Sequence, residues 1–230
     1  MAEAERLVLR ELASTPAEGG GSCRARPEPS AQAEATVHHQ ASTAAASSAA
    51  ILRISLPMGI SFNGHAGAID WIQSRFKKGK PATLYYDEVR TPTYTDCLNP
   101  LFAAMLARRD LCGLFHAGGP RRLSLYNIAQ IINRVGGYDP QLLHGCPRAD
   151  AGPIPPRAGD VTLDSTRLQQ ALGYEPFDPW PLDDEHVPTH RQWHFEGPRG
   201  SPELLAEVLY RNPRRTVSRE ERKHAPARRR

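Results

Sequence analysis

Apolar residues recur along this chain in two rhythms, and a long stretch near the start has neither. From position 51 onward, short runs of aliphatic and β-branched residues alternate with stripes of helical spacing. ILRISL at 51–56 reads as a buried parallel strand that runs into a loop. Ile69, Ile72 and Phe76 share one face of a helix expected over 67–78. Strands are expected at 82–86 and 113–116, and between them a helix over 95–109 capped by Thr95 or Asp96. The best-marked helix covers 124–135. Ser124 caps it, Leu125, Ile128, Ile132 and Val135 form its stripe, and Gly136-Gly137 ends it. A short strand at 161–163 and a helix over 165–172, stopped by Gly173, follow. A last helix is expected over 202–210, with Ser201 as cap and Pro202 at the first position. Strands alternating with helices specify βα units on a mainly parallel sheet, so the fold class is α/β.

The first fifty residues differ. Residues 3–11 carry a short helical pattern, with Ala4, Val8 and Leu12 in one row and Leu7 beside them. Residues 13–50 are dominated by Ala, Ser, Gly, Glu and Pro, with GGGS at 19–22 and STAAASSAA at 42–50. Such a segment cannot bury enough apolar surface to offset the entropy of ordering it, and it reads as a disordered linker or insertion. The hydrophobic share of 40 % in 230 residues fits one domain plus tails.

Charge changes the picture only at the far end. The net charge is +4, but residues 211–230 alone carry +7, which leaves −3 for the rest. The tail over 213–230 reads as a solvated, disordered basic terminus. No aromatic residue follows Tyr210, so the stacking half of a nucleic-acid site is missing and no nucleic-acid partner is expected. No run of eighteen apolar residues occurs, and Glu3, Glu5 and Arg6 interrupt any signal-peptide core, so no membrane association is expected. Cys23, Cys97, Cys112 and Cys146 form no Cys-x-x-Cys pair, which points to a reducing, cytoplasmic setting without a zinc site. His186, His190 and His194 have one-face helical spacing, but Pro188 breaks that helix, so no metal site is assigned.

Four segments then carry a resemblance. They are ILRISLPMG (51–59), RTPTYTDCLNPLFAAML (90–106), GLFHAGGPRRLSLYNIAQIINRVGG (113–137) and PRAGDVTLDSTRLQQALGYEP (156–176). In this order they resemble the C-terminal half of an extended short-chain dehydrogenase/reductase, most closely the dTDP-4-dehydrorhamnose reductase (RmlD-type) group. MAEAERLVLRE (1–11) resembles the continuation of that family's catalytic helix, which would put Met1 just after its catalytic lysine. The resemblance implies a partial Rossmann-like fold for an N-terminally truncated chain. Its parts would be a helix remnant (1–12), the linker (13–50), a substrate-binding portion (51–182), a one-helix extension (183–212) and the tail (213–230).

The family reduces a sugar ketone with NADPH or NADH. That chemistry needs a glycine-rich phosphate turn and a Tyr-x-x-x-Lys pair. No Gly-x-Gly-x-x-Gly or Gly-x-x-Gly-x-x-Gly spacing occurs in this sequence. None of Lys77, Lys78, Lys80 and Lys223 has a tyrosine four residues upstream. Tyr86/Arg90 and Tyr210/Arg214 have the spacing, but arginine does not replace the compact ammonium. By resemblance, Ser55, Leu56, Pro57 and Met58 would line the nicotinamide pocket. Asn63, Arg90 and Arg157 would contact a nucleotide sugar of the dTDP-sugar type. For the arginines, structural ion pairing is the competing role. Tyr94 and Tyr126 read as packed and Asp96 as a helix cap. The expected function is the sugar-nucleotide-binding portion of an NAD(P)H-dependent oxidoreductase, inactive as this isolated chain. A non-catalytic module resembling the regulatory subunit of methionine adenosyltransferase, and a non-functional product, are the alternatives. A sheet deprived of its first strands leaves a face for an oligomer or partner to cover.

Overall fold

A computed structural model describes residues 49–59, 67 and 69–210. The helix read over 1–12, nearly all of segment 13–50, the tail over 213–230 and Asn63 lie outside the described residues. The elements are β1 (Ala50–Ile54), β2 (Pro57–Met58), α1 (Asp70–Lys77), β3 (Ala82–Tyr85), β4 (Val89–Arg90), β5 (Thr93–Tyr94) and α2 (Thr95–Ala107). They continue with β6 (Gly113–Ala117), β7 (Leu123–Ser124), α3 (Leu125–Val135), β8 (Leu143–Cys146), α4 (Thr166–Leu172), α5 (Trp193–Glu196) and α6 (Pro202–Leu209). Strands pair two by two, β1 with β6, β2 with β5, β3 with β8 and β4 with β7. The β2–β5 and β3–β8 pairs are parallel and β4–β7 is antiparallel. This is the mixed α/β architecture with mainly parallel strands that the sequence pattern specifies. Among the described residues no helix is long and apolar enough to cross a membrane.

The chain packs as two units. Of the described residues, one holds 49–52 with Phe102–Phe115. In it the Gly113 N–H donates to the Ala49 carbonyl at 2.9 Å. Leu111 and Phe115 are buried, whereas Phe102 and Leu106 are exposed. The other unit holds Arg53–Leu101 and everything described from His116 onward.

Helix α3 is the centre of this second unit. The Ser124 hydroxyl accepts from the Asn127 N–H at 3.0 Å, and the Asn127 side-chain oxygen accepts from the Ser124 N–H at 3.1 Å. That reciprocal capping box starts the helix where the sequence puts its cap. Ile128, Ile131, Ile132 and Val135 are at most 1 % exposed and join Ile72, Phe76, Leu84, Leu143 and Trp180 in one core. α3 is buried on its polar side as well, because Gln130 and Asn133 have no exposed surface. Gln130 and its neighbours along the helix are met by the chain beyond Pro179. Gln130 donates to the His190 and Arg191 carbonyls at 3.1 Å, Tyr126 donates to the Arg191 carbonyl at 3.0 Å, and Arg134 donates to the Gly197 carbonyl. Tyr126, Gln130 and Arg134 stand four apart and form one row along the helix. That row holds the irregular segment by its backbone. α6 then packs Leu205, Val208 and Leu209 into the same core, capped by the Ser201 hydroxyl as expected.

Two strand expectations are corrected. The strand expected at 161–163 is only a single bridge, Val89 to Asp160. The Asp160 carboxylate accepts from the Thr162 N–H at 2.9 Å, a local turn that takes the chain off the ladder. β8 was not expected, because Leu143–Cys146 carries a glycine and no alternation. Gly145 is there because the Tyr86 and Tyr126 rings close over it; a Cβ at this position would meet both at 2.5 Å. The strand read at 51–56 divides into β1 and β2, and the helix read from 67 begins at Asp70.

Two outcomes follow from the packing of α3. Ile131→Ala lowers unfolding free energy by roughly 2–5 kcal/mol and Ser124→Ala by about 1 kcal/mol, as measured by urea denaturation. His194 is buried against Gln130, which meets its Nδ1 at 3.2 Å, and burial followed by the Arg134 charge pushes its pKa down to about 4. The folded pKa lies below the ordinary value, so the unfolded state binds the proton first. The stabilisation is complete above about pH 6.5 and is lost as pH falls toward 4, on the order of 3 kcal/mol in all. His194→Gln therefore shows a smaller fall in stability than the parent between neutral pH and pH about 4.5.

Candidate functional site

Thr91 ties together the loops at the carboxyl ends of the strands. It is 2 % exposed. Its N–H donates to the Ser55 hydroxyl at 3.2 Å, and its carbonyl accepts from the Gly119 N–H at 3.0 Å. Its hydroxyl accepts from the Leu163 N–H at 3.3 Å. One step further on, the Thr93 N–H donates to the Leu56 carbonyl at 3.1 Å, and β2 lies against β5 with Pro57 opposite Thr93 and Met58 opposite Tyr94. The Ser165 hydroxyl closes the ring from below, accepting from the Gly118 N–H at 2.9 Å and donating to the Gly118 carbonyl at 2.8 Å. Three loops, 55–58, 117–119 and 163–165, are thereby fixed to one extended strand.

This arrangement decides what the four residues of the 55–58 loop can offer. The Ser55 hydroxyl accepts from the Thr91 N–H, and its own N–H donates to the Ala117 carbonyl at 3.2 Å. The Met58 side chain is 1 % exposed and belongs to the core. Leu56 is half-buried and Pro57 exposed. Three of the four side chains, Leu56, Pro57 and Met58, are apolar.

The polar side of the unit is an arginine cluster around Glu88. Arg157 donates from Nε to Glu88 Oε2 at 2.8 Å and from Nη2 to Oε1 at 2.9 Å. Arg90 donates to the same Oε1 at 2.8 Å, and its Nη1 also donates to the Val89 and Gly159 carbonyls at 2.7 and 2.8 Å. Arg157 lies 5.6 Å from the centre of the Tyr85 ring. The bond from Glu88 raises the Arg157 pKa further. Arg148 pairs with Asp87 at 3.0 Å, and its N–H, donating to the same carboxylate, holds Asp87 below the usual range. Arg122 pairs with Asp160, whose carboxyl is lowered first by the Thr162 hydroxyl and then by that arginine. Four guanidiniums thus stand against three carboxylates, and the surplus is positive.

Arg90 and Arg157, far apart in sequence, are brought onto one carboxylate, so ion pairing is one of their roles. Sequence reasoning missed Glu88 and Thr91. The signal for Glu88 was the strand period of two, which sets Glu88 and Arg90 on one face in DEVR. Tyr94 is buried and donates to the Val208 carbonyl at 3.1 Å, and burial pushes the Tyr126 phenol up to about 12. Both are packing residues. Asp96 lies in the first turn of α2. The three histidines have separate partners: His194 meets Gln130, His190 meets Glu196 at 3.3 Å and His186 meets Glu185 at 3.7 Å. Among the described residues no group of three or more His, Cys, Asp or Glu is placed to hold a metal ion.

Residues 30–185 match the RmlD substrate binding domain family, and the chain belongs to that family. The match begins inside the segment read as a linker. The fold is similar to that of a dTDP-4-dehydrorhamnose reductase from Bacillus anthracis in complex with NADP, at 16 % identity and a TM-score of 0.50, over 57 % of this chain and 44 % of that one. A dTDP-4-dehydrorhamnose reductase from Clostridium acetobutylicum matches at 19 % identity and a TM-score of 0.47, over 70 % of this chain and 47 % of that one. The dTDP-glucose 4,6-dehydratase DesIV from Streptomyces venezuelae, with NAD bound, matches at 22 % identity and a TM-score of 0.45, over 55 % and 38 %. The chain spans less than half the length of each of these structures. No curated protein matches it.

Gly119 marks how closely the Thr91 ring is drawn. A Cβ there would overlap the Pro92 carbonyl oxygen, a backbone atom that cannot swing aside. Gly119→Ala therefore lowers stability by about 1–3 kcal/mol, seen as a lower urea midpoint with the secondary structure retained by circular dichroism.

Proposed function

We propose that this chain is the nucleotide-sugar-binding portion of a dTDP-4-dehydrorhamnose reductase-like oxidoreductase, and that by itself it binds without reducing. The observation that carries this reading is the convergence of Arg90 and Arg157 on the Glu88 carboxylate beside β4, in a member of a substrate-binding family. Planar guanidiniums suit the paired oxygens of a diphosphate, and a net positive cluster attracts one. Asn63 is proposed as a further contact to the sugar nucleotide.

The residues present do not fit a complete nicotinamide site. Ser55 Oγ accepts one bond from the Thr91 N–H, and the Met58 side chain is in the core. The sequence supplies neither a glycine-rich phosphate turn nor a Tyr-x-x-x-Lys pair. Ser55, Leu56, Pro57 and Met58 are proposed to serve only as a wall on the cofactor side, and no hydride step is assigned to this chain. The same observations suit a second reading, a non-catalytic binding or regulatory module of this fold.

Titration calorimetry with dTDP-glucose and with NADPH, together with an NADPH-oxidation assay, tests the proposal. The expected outcome is binding of the sugar nucleotide, no oxidation and little or no NADPH binding. Turnover by the 230-residue chain would show that the reduction chemistry resides in residues not assigned to it here, and absence of sugar-nucleotide binding would overturn the reading.

A further inference from the structure

Glu88 is the most deeply buried carboxylate among the described residues, 2 % exposed, although it sits beside a surface-facing arginine. Burying a carboxylate is unfavourable unless its charge and its lone pairs are all met, so the fold supports this one for a reason. Its backbone carbonyl is held by the Leu125 N–H at 2.9 Å, at the first residue of α3. Its side chain receives three charge-assisted bonds, two from Arg157 and one from Arg90.

The three bonds divide the arginines by what they have left. Arg90 uses Nη1 on two carbonyls and Nη2 on Glu88, and its side chain is only 19 % exposed. Arg157 gives one edge, Nε and Nη2, to the carboxylate, and its side chain is 45 % exposed. Among the described residues its Nη1 has no hydrogen-bond partner. A guanidinium is planar, so fixing one edge fixes the other. The Tyr85 ring below and the Arg148 guanidinium, which donates to the Arg157 carbonyl, confine the same residue.

Building on the reading above, we propose that Glu88 is a positioning residue: it locks Arg157 by one edge so that the opposite edge faces a diphosphate, and Arg90 acts through Glu88 as a brace. The competing role for Glu88 is simple neutralisation of two positive charges, and the two roles predict opposite signs. If Glu88 only neutralises, its removal leaves more positive charge and tightens anion binding. If it positions, its removal frees the Arg157 fork and weakens binding of the ligand that needs a fixed edge.

The test is calorimetry on the full chain with dTDP and with dTMP, for the parent, Glu88→Gln and Arg157→Lys, with melting temperatures measured alongside. The parent is expected to prefer dTDP. Glu88→Gln is expected to weaken dTDP binding about tenfold while changing dTMP binding little, and Arg157→Lys, which keeps the charge but loses the fork, to do the same. Unchanged or tighter dTDP binding by a folded Glu88→Gln overturns the positioning role and leaves the nucleotide-sugar reading standing. If Glu88→Gln does not fold, parental dTDP affinity in Arg157→Lys overturns it instead. Binding of neither nucleotide by the parent overturns both.

Discussion

The capped start of α3 is the point on which the larger unit depends. Ser124 closes the helix by its reciprocal bond with Asn127 and, one residue on, the Leu125 N–H holds the Glu88 carbonyl. Ser124 is also the β7 residue that pairs with Val89, beside Arg90. The helix start, the core and the arginine cluster therefore share one short stretch of backbone. Moving it would shift the packing of Ile128 and Ile132 together with the placement of Glu88.

A helix buried on all sides needs partners for its polar groups, and that requirement shapes the C-terminal part. A buried amide left without partners costs roughly 1–3 kcal/mol, and Gln130 and Asn133 are both fully buried. The chain from His190 to Gly197 supplies carbonyls to the row of Tyr126, Gln130 and Arg134, and Asn133 Nδ2 finds the Asp139 carbonyl at 2.9 Å. A segment with only the single turn of α5 is held by what the helix lacks. One of its histidines follows from the same logic: His194 is buried with Nδ1 at 3.2 Å from the Gln130 amide nitrogen.

What the sequence revealed divides along physical lines. α3 and α6 were legible to the residue at their caps, because Ser124 and Ser201 act through local hydrogen bonds that depend only on nearby sequence. β8 was not, because Gly145 is chosen by two rings that come from distant positions. The Val161 region carries a β-rich pattern, yet the Asp160 carboxylate turns it away after one bridge. At the site, the two arginines could be picked out one at a time, but the carboxylate between them is a tertiary fact. Arg157 lies 69 residues from Glu88, and no spacing rule reaches that far.

The hold that α3 keeps on the segment 190–197 has a consequence for how this protein tolerates change. The bonds run from helix side chains to carbonyl oxygens, and a carbonyl is the same whatever residue bears it. Arg191 can thus be exchanged with the anchoring bond still available, whereas exchange of Tyr126, Gln130 or Arg134 removes the donor. The backbone path of this segment is thus written in the side chains of the helix, while within the segment itself it is the buried Trp193 and His194 that carry side-chain information of their own.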